Sequence, residues 1–183
     1  MYNESIMKKS TLIILAIGAI VVLGFFYFLS QKNIFKPQVN DFDSCVAAGY
    51  PVAYSYPPQC TANGKTYIEN IGNELEKSDL IEVDNPRPNQ VITSPLEVGG
   101  RARGTWFFEA DFPVRLYDST GKEIAVGIAK AQGEWMTEEF VPFRAALTFE
   151  SLKGDKGELV FEKNNPSDLP ENADSLRIPV KFR

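Results

Sequence analysis

The sequence predicts an all-β fold, a β-sandwich of about seven strands, over residues 80–183. Three observations carry that expectation. From Trp106 to Leu116 every even position is apolar: Trp106, Phe108, Ala110, Phe112, Val114 and Leu116. Val141, Phe143, Ala145, Leu147 and Phe149 repeat the same period of two. Successive side chains on a strand point to opposite faces, so such runs read as half-buried strands. The third observation is that no stretch after residue 80 has a helical period.

In chain order, Leu80 to Val83 is a first short strand, closed by the turn-forming DNPRPN. Val91 to Arg103 is a second, with Ser94-Pro95 and Gly99-Gly100 marking a kink or bulge. Trp106 to Tyr117 is the central strand. Asp118-Ser119-Thr120-Gly121 is a turn, Gly121 supplying positive φ. Ile124, Val126 and Ile128 alternate in the next strand. The Val141–Phe149 run follows, then Leu159 and Phe161, then Leu176, Ile178, Val180 and Phe182. Pro179 lies inside that last run and predicts an edge strand or its tip. The Cys…Trp…Cys pattern of antibody domains is absent, and a small barrel is the alternative architecture.

The residues before this domain divide into an anchor, a linker and a small module. Thr11 to Leu29 is a run of 19 residues without a charge. As an α-helix it would span roughly 28 Å, the thickness of a bilayer core. Lys8 and Lys9 precede it, which favours a cytoplasmic N-terminus, and Phe25, Phe26 and Tyr27 mark an aromatic belt at its outer end. Its exit, FFYFLSQKN, lacks a small-x-small cleavage site, so an uncleaved anchor is expected. Met7-Lys8-Lys9 also reads as a natural start. The expected layout is 1–30 cytoplasmic tip and transmembrane helix, 31–40 linker, 41–72 two-cysteine module, 73–79 linker and 80–183 β domain. On that topology the module lies outside the cytoplasm, where a Cys45–Cys60 disulfide would persist. Closing a loop of that size removes unfolded-state entropy worth roughly 3 kcal/mol.

Composition narrows the functions. The chain is 44% hydrophobic and 23% charged, which is globular. Its net charge is −5, and it holds no basic block or Arg/aromatic platform, which argues against nucleic acid as a partner. It has no histidine and only two cysteines. That removes Ser-His-Asp and Cys-His nucleophiles and the usual zinc sites. No cofactor, no metal and no catalytic residue are expected, and the protein is expected not to be an enzyme.

Among residues that could carry chemistry, Trp106 and Trp135 lie close in sequence to acids, Glu109 and Asp111, then Glu134, Glu138 and Glu139. Such a pairing would suit a sugar-binding face or a glycosidase. Alternation instead points Trp106 inward and Glu109 and Asp111 outward. Trp106, Glu109, Asp111, Trp135 and Glu134 remain the candidate binding surface, although a buried Trp beside a solvated acidic edge is the plainer account. Arg101, Arg103 and Arg115 could pair with Glu109 or Asp111 across strands. The loop from Asn164 to Asp174 offers oxygen ligands for calcium but lacks the Asp-x-Asp-x-Asp-Gly spacing.

Two stretches resemble known families. The pattern C-V-A-A-G-x-P-V…Y-P-x-Q-C…G-K-T-Y around Cys45 and Cys60 resembles a small cysteine-loop module of bacterial surface proteins. Its C-T-A-N-G-K-T-Y piece is similar to the core of Kazal-type protease inhibitors, without the further cysteines that hold their inhibitory loop. The second resemblance rests on Ser94-Pro95, Ala102-Arg103-Gly104-Thr105-Trp106-Phe107-Phe108-Glu109 and Phe112-Pro113-Val114. It continues through Gly133-Glu134-Trp135-Met136-Thr137, Phe140-Val141-Pro142-Phe143, Asn165-Pro166-Ser167 and Pro179-Val180. Over roughly Leu80 to Arg183 the chain resembles the bacterial immunoglobulin-like domain named for spore germination, which often accompanies GerMN domains. The resemblance implies an immunoglobulin-like sandwich and an envelope-associated, extracytoplasmic role. No GerMN domain lies in this chain, so sporulation is not implied.

Together these readings predict a single-pass membrane protein with its C-terminal domain outside the cytoplasm. Its partners are the membrane, through the N-terminal helix, and an envelope protein. A structural spacer or scaffold in a surface complex is the alternative role, and a glycan the alternative ligand.

Overall fold

The structure, a computed structural model, describes Tyr27 and residues 38–150 and 156–183. Apart from Tyr27, the expected span Thr11 to Leu29 lies outside the described residues. Among the described residues no helix is long and apolar enough to cross a membrane. The chain separates into two compact units, with the boundary between Ile68 and Glu69.

The first unit holds the two cysteines. Helix α1 (Phe42–Ala47) starts at Asp41, whose carboxylate accepts from the Ser44 amide at 2.8 Å while the Ser44 hydroxyl accepts from the Asp41 amide. That reciprocal cap satisfies amides the short helix cannot pair internally. Strands β1 (Val52–Ala53), β2 (Gln59–Ala62) and β3 (Lys65–Ile68) form an antiparallel sheet in that order. Asn63 and Gly64, both at positive φ, make the β2–β3 turn. Cys45 on α1 and Cys60 on β2 are fully buried and joined by a disulfide. The core is those two residues and Ala62, so the cross-link supplies what burial cannot.

The second unit is mostly β, with two sandwich-like layers. One layer is β4 (Ile81–Asn85), β6 (Leu96–Arg103) and β9 (Phe140–Leu147). The other contains β8 (Glu123–Ala131), β7 (Asp111–Asp118), β10 (Gly157–Glu162), β11 (Ser175–Phe182) and the two-residue β5 (Val91–Ile92). Hydrogen bonding runs β4-β6-β9-β8-β7-β10-β11-β5, and β8 and β9 join the two layers where Lys130 and Ala131 pair Arg144 and Phe143. Since β4 and β5 are the two ends of that order, the sheet is not a closed barrel. Phe143 of the first layer meets Phe112 and Phe161 of the second, with ring centroids 5.0 and 6.1 Å apart. Alternation places Phe112, Val114 and Leu116 in this core, as expected.

Several expectations change. The central strand begins at Asp111, not Trp106. Gly104–Trp106 is a 3-10 turn, and Glu109 and Ala110 form a reversal with φ of 51° and 64°. Phe108 is consequently exposed while its neighbour Phe107 is buried. In β8, Val126 and Ile128 face outward and Gly127 and Ala129 face inward. The register shifts beside Leu116/Tyr117, so Ile124 and Ala125 both pack against the core and the later residues change face. The inner side at Gly127 is filled by Leu147 and the Ala146 carbonyl, leaving no room for a Cβ. Val91 and Arg103 belong to separate strands, broken at Ser94-Pro95, where the Ser94 hydroxyl accepts from the Phe149 amide. Pro179 is not on an outermost strand: β11 pairs β10 along its length and β5 at its end.

Residues 69–79, expected as module end and linker, belong to the β unit. They form a turn of helix, α2 (Glu74–Lys77), against β11. The Asn73 side chain accepts from the Arg177 amide and donates to the Ser175 carbonyl. A Cβ on Gly72 would collide with the Arg177 carbonyl, so that contact requires glycine.

Candidate binding surface

Three loops converge at one end of the sandwich. The first is the reversal at residues 107–111, where Phe108 and Asp111 bridge across Glu109-Ala110. The second is the β8–β9 loop, residues 132–139. The third is the start of the β10–β11 loop at Asn164. Asn164 donates its side-chain amide to the carbonyls of Phe108 and Asp111 and to the Asp111 carboxylate, and its backbone amide to the Trp106 carbonyl. The Ala131 amide donates to the Ala110 carbonyl at 2.9 Å. The tip is therefore held from both sides.

Its conformation is strained. Neither Glu109 nor Ala110 is one of the residues that tolerate left-handed backbone well, and each carries a cost of order 1–2 kcal/mol. The surrounding bonds over-determine that conformation, which is how strained positions persist.

The second loop is pinned to the same end. The Gly104 amide donates to the Glu139 carbonyl at 3.1 Å, and a Cβ on Gly104 would strike the carbonyls of Trp135 and Thr137. Only glycine permits that approach. Arg103 donates to the carbonyls of Asp79 and Glu138 and lies over the Phe140 ring at 4.1 Å. The Glu134 carboxylate accepts from the Met136 amide.

The five residues expected at the binding surface separate as follows. Trp106 is 1% exposed and is removed from it; its indole N–H has no partner among the described residues. Asp111 is bound by Lys130 at 2.5 Å and by Asn164. Glu109 and Glu134 are exposed, and Trp135 is half-buried against the core. Sequence reasoning missed Phe108, 41% exposed, and Met136, 74% exposed. Phe108 was hidden by the apparent alternation that placed it inside.

The expected arginine pairings are also different. Arg115 binds Glu123 and Glu162, both at 2.8 Å, and Arg101 binds Glu82. Arg103 faces Glu139 at 3.8 Å. None pairs with Glu109 or Asp111 because other strands carry the acids opposite them. The hydrogen bond to Glu162, then that to Glu123, raises the Arg115 pKa further. In the loop from Asn164 to Asp174, Asn164 spends its side-chain amide on the 107–111 reversal, and Asn165 donates to the Leu169 carbonyl and accepts from the Ser167 hydroxyl. Among the described residues no cluster of three or more acidic or cysteine side chains could hold a metal.

Residues 80–169 match the family model of the immunoglobulin-like domain of bacterial spore germination. This segment is a domain of that family. The match stops before β11, yet Ser175–Phe182 completes the sheet against β10, so the spore-germination immunoglobulin-like domain here extends physically to the last strand. No curated protein and no solved structure matches the chain.

Proposed function

We propose that the protein is a non-catalytic, membrane-anchored interaction module of the bacterial envelope, its immunoglobulin-like domain displayed outside the cytoplasm. The observation that carries the binding role is the clamped reversal at Glu109-Ala110, which presents Phe108 to solvent. Recognition is commonly placed on loops held by a rigid scaffold. Glu109, Glu134, Glu138 and Glu139 supply acids in the two loops around Phe108 and Met136. A partner protein offering an apolar pocket with a cationic rim complements that arrangement. The anchor reading rests on the uncharged Thr11–Leu29 run and the preceding lysines.

Three experiments test this. Protease added to spheroplasts digests or releases the part after Gln31; full protection refutes the topology. A photo-cross-linking residue at position 108 yields a protein adduct in the envelope, whereas one at position 128, on the outer face of β8, does not. Adducts at 128 alone would move the interface to the sheet face. Turnover of a substrate that disappears in Glu134→Gln would refute the non-catalytic reading.

A further inference from the structure

The β unit also carries an open polar cleft of about 630 Å³, a size that holds small ligands. Helix α2, the two ends of the β10–β11 loop and residues of β7, β10 and β11 line it. Most of its charged groups are already paired. Lys77 on α2 meets Asp174 on the loop at 2.6 Å, Glu162 accepts from Arg115 at 2.8 Å, and Arg177 donates to Glu158 at 2.9 Å.

Two charged residues of the lining are not paired. The side chains of Lys163 and Glu76 have no partner among the described residues. They flank the Lys77–Asp174 pair. Glu76 precedes Lys77 on α2, and the Lys163 amide donates to the Asp174 carbonyl at 2.9 Å. The cleft therefore offers one free charge of each sign, one beside each half of that pair. Two neutral acceptors accompany them. Asn164 uses its side-chain amide on the Phe108 reversal, which leaves its side-chain carbonyl free, and the Ser175 hydroxyl has no partner among the described residues.

We propose that this cleft binds a short peptide in its zwitterionic form. Its C-terminal carboxylate meets Lys163 and its N-terminal ammonium meets Glu76. Backbone amides between them donate to the Asn164 side-chain carbonyl and the Ser175 hydroxyl. Charge-assisted hydrogen bonds of this kind are the stronger ones. The lining also opposes other classes. Glu76, Glu162 and Asp174 repel a polyanion. Pro113 and Ala173 are the apolar side chains present, too little area to hold a lipid-like ligand. No aromatic ring lines the cleft, so the stacking face of a sugar site is missing. The proposal does not rest on Phe108 as a binding residue.

The test uses the full-length chain in a nonionic detergent at neutral pH. It is titrated calorimetrically with trialanine, with N-acetyl-trialanine, which lacks the ammonium, and with trialanine amide, which lacks the carboxylate. Trialanine should bind saturably, and each blocked form roughly tenfold more weakly, the scale of one lost charge-assisted hydrogen bond. Lys163→Gln should bind trialanine and trialanine amide alike while still discriminating against the N-acetyl form. Glu76→Gln should show the converse. Each variant is its own control, because the comparison is between ligands on one protein, and a merely structural role would not remove discrimination at one end of the peptide alone. The proposal is overturned by no saturable binding of trialanine, by equal affinity for the three peptides, or by variants that discriminate as the parent does. A missing protein adduct at position 108 would leave these results standing, so the two readings fail separately.

Discussion

Ala110→Gly should stabilise the β domain. Ala110 has φ of 64° and follows Glu109 at 51°, so the reversal runs through two consecutive left-handed residues. Steric conflict between Cβ and the following carbonyl makes this cost about 1–2 kcal/mol at Ala110. Glycine removes the conflict but gives the unfolded chain about 0.4–1 kcal/mol of additional freedom. The net gain is about 0.5–1 kcal/mol, or roughly 2–5 °C in Tm for a unit of this size. The fragment 69–183 suits the measurement, because a start at Leu80 would discard the Asn73 bonds to β11. Urea and thermal melts of the two proteins decide it. If Ala110→Gly lowers the urea midpoint at constant m, the backbone at 110 is not left-handed and the strain argument fails. The same variant separates stability from recognition. A glycine tip is less preorganised, so a partner that reads Phe108 should bind it more weakly although the fold is more stable.

The remaining predictions address the core, the staple and one titration. Phe112→Ala should cost about 3–5 kcal/mol in urea melts, since it empties a fully buried site facing Phe143. Arg115→Ala should cost about 1–2 kcal/mol, more than an isolated surface pair, because Glu123 and Glu162 lose a shared cation. Equal costs would refute that ranking. Reduction of Cys45–Cys60 should remove about 3 kcal/mol from the first unit, seen as lost amide protection over residues 38–68; unchanged protection would mean its small core suffices. Asp118 is held below its ordinary pKa of 3.8 chiefly by the Thr120 hydroxyl. A depressed carboxylate stabilises the fold above its unfolded pKa, and that contribution disappears as pH falls through the folded value. In Thr120→Ala the Asp118 titration followed by NMR should therefore move upward; an unmoved curve would assign the depression to the backbone amides.

How much of this was legible depends on the kind of information. Alternation identified the buried faces of β7, β9 and β11, because a period of two reports which side of a strand meets the core. It could not report strand order, and strand order decides which acid reaches which arginine. Arg115 therefore meets Glu162 from β10 and Glu123 from β8 rather than Glu109. Val160 shows the same limit. It lies between Arg115 and Arg177 on the outer face and is nonetheless fully buried. Likewise, no local pattern reveals that Asn73 will bind backbone 104 residues further along.

The failure at residues 106–110 has a different origin, and it bears on function. Every even position there was apolar, although Phe107 interrupted strict alternation, and no Gly, Asn, Asp or Pro stood at positions 109 and 110 to signal a turn. The local sequence prefers extension, whereas the fold imposes a reversal through contacts from Asn164 and Ala131. Sequences generally agree with their fold at each level, and disagreements concentrate where something besides stability is selected. The other misreading, at β8, needs no such account, since the bulge and the contact of Gly127 with β9 explain the reversed face. Packing around residues 109–110 explains how the strain is held, but it does not explain why a glycine is absent. That asymmetry favours the tip over the outer face of β8 as the recognition element, even though Val126 and Ile128 are each 47% exposed, slightly more than Phe108.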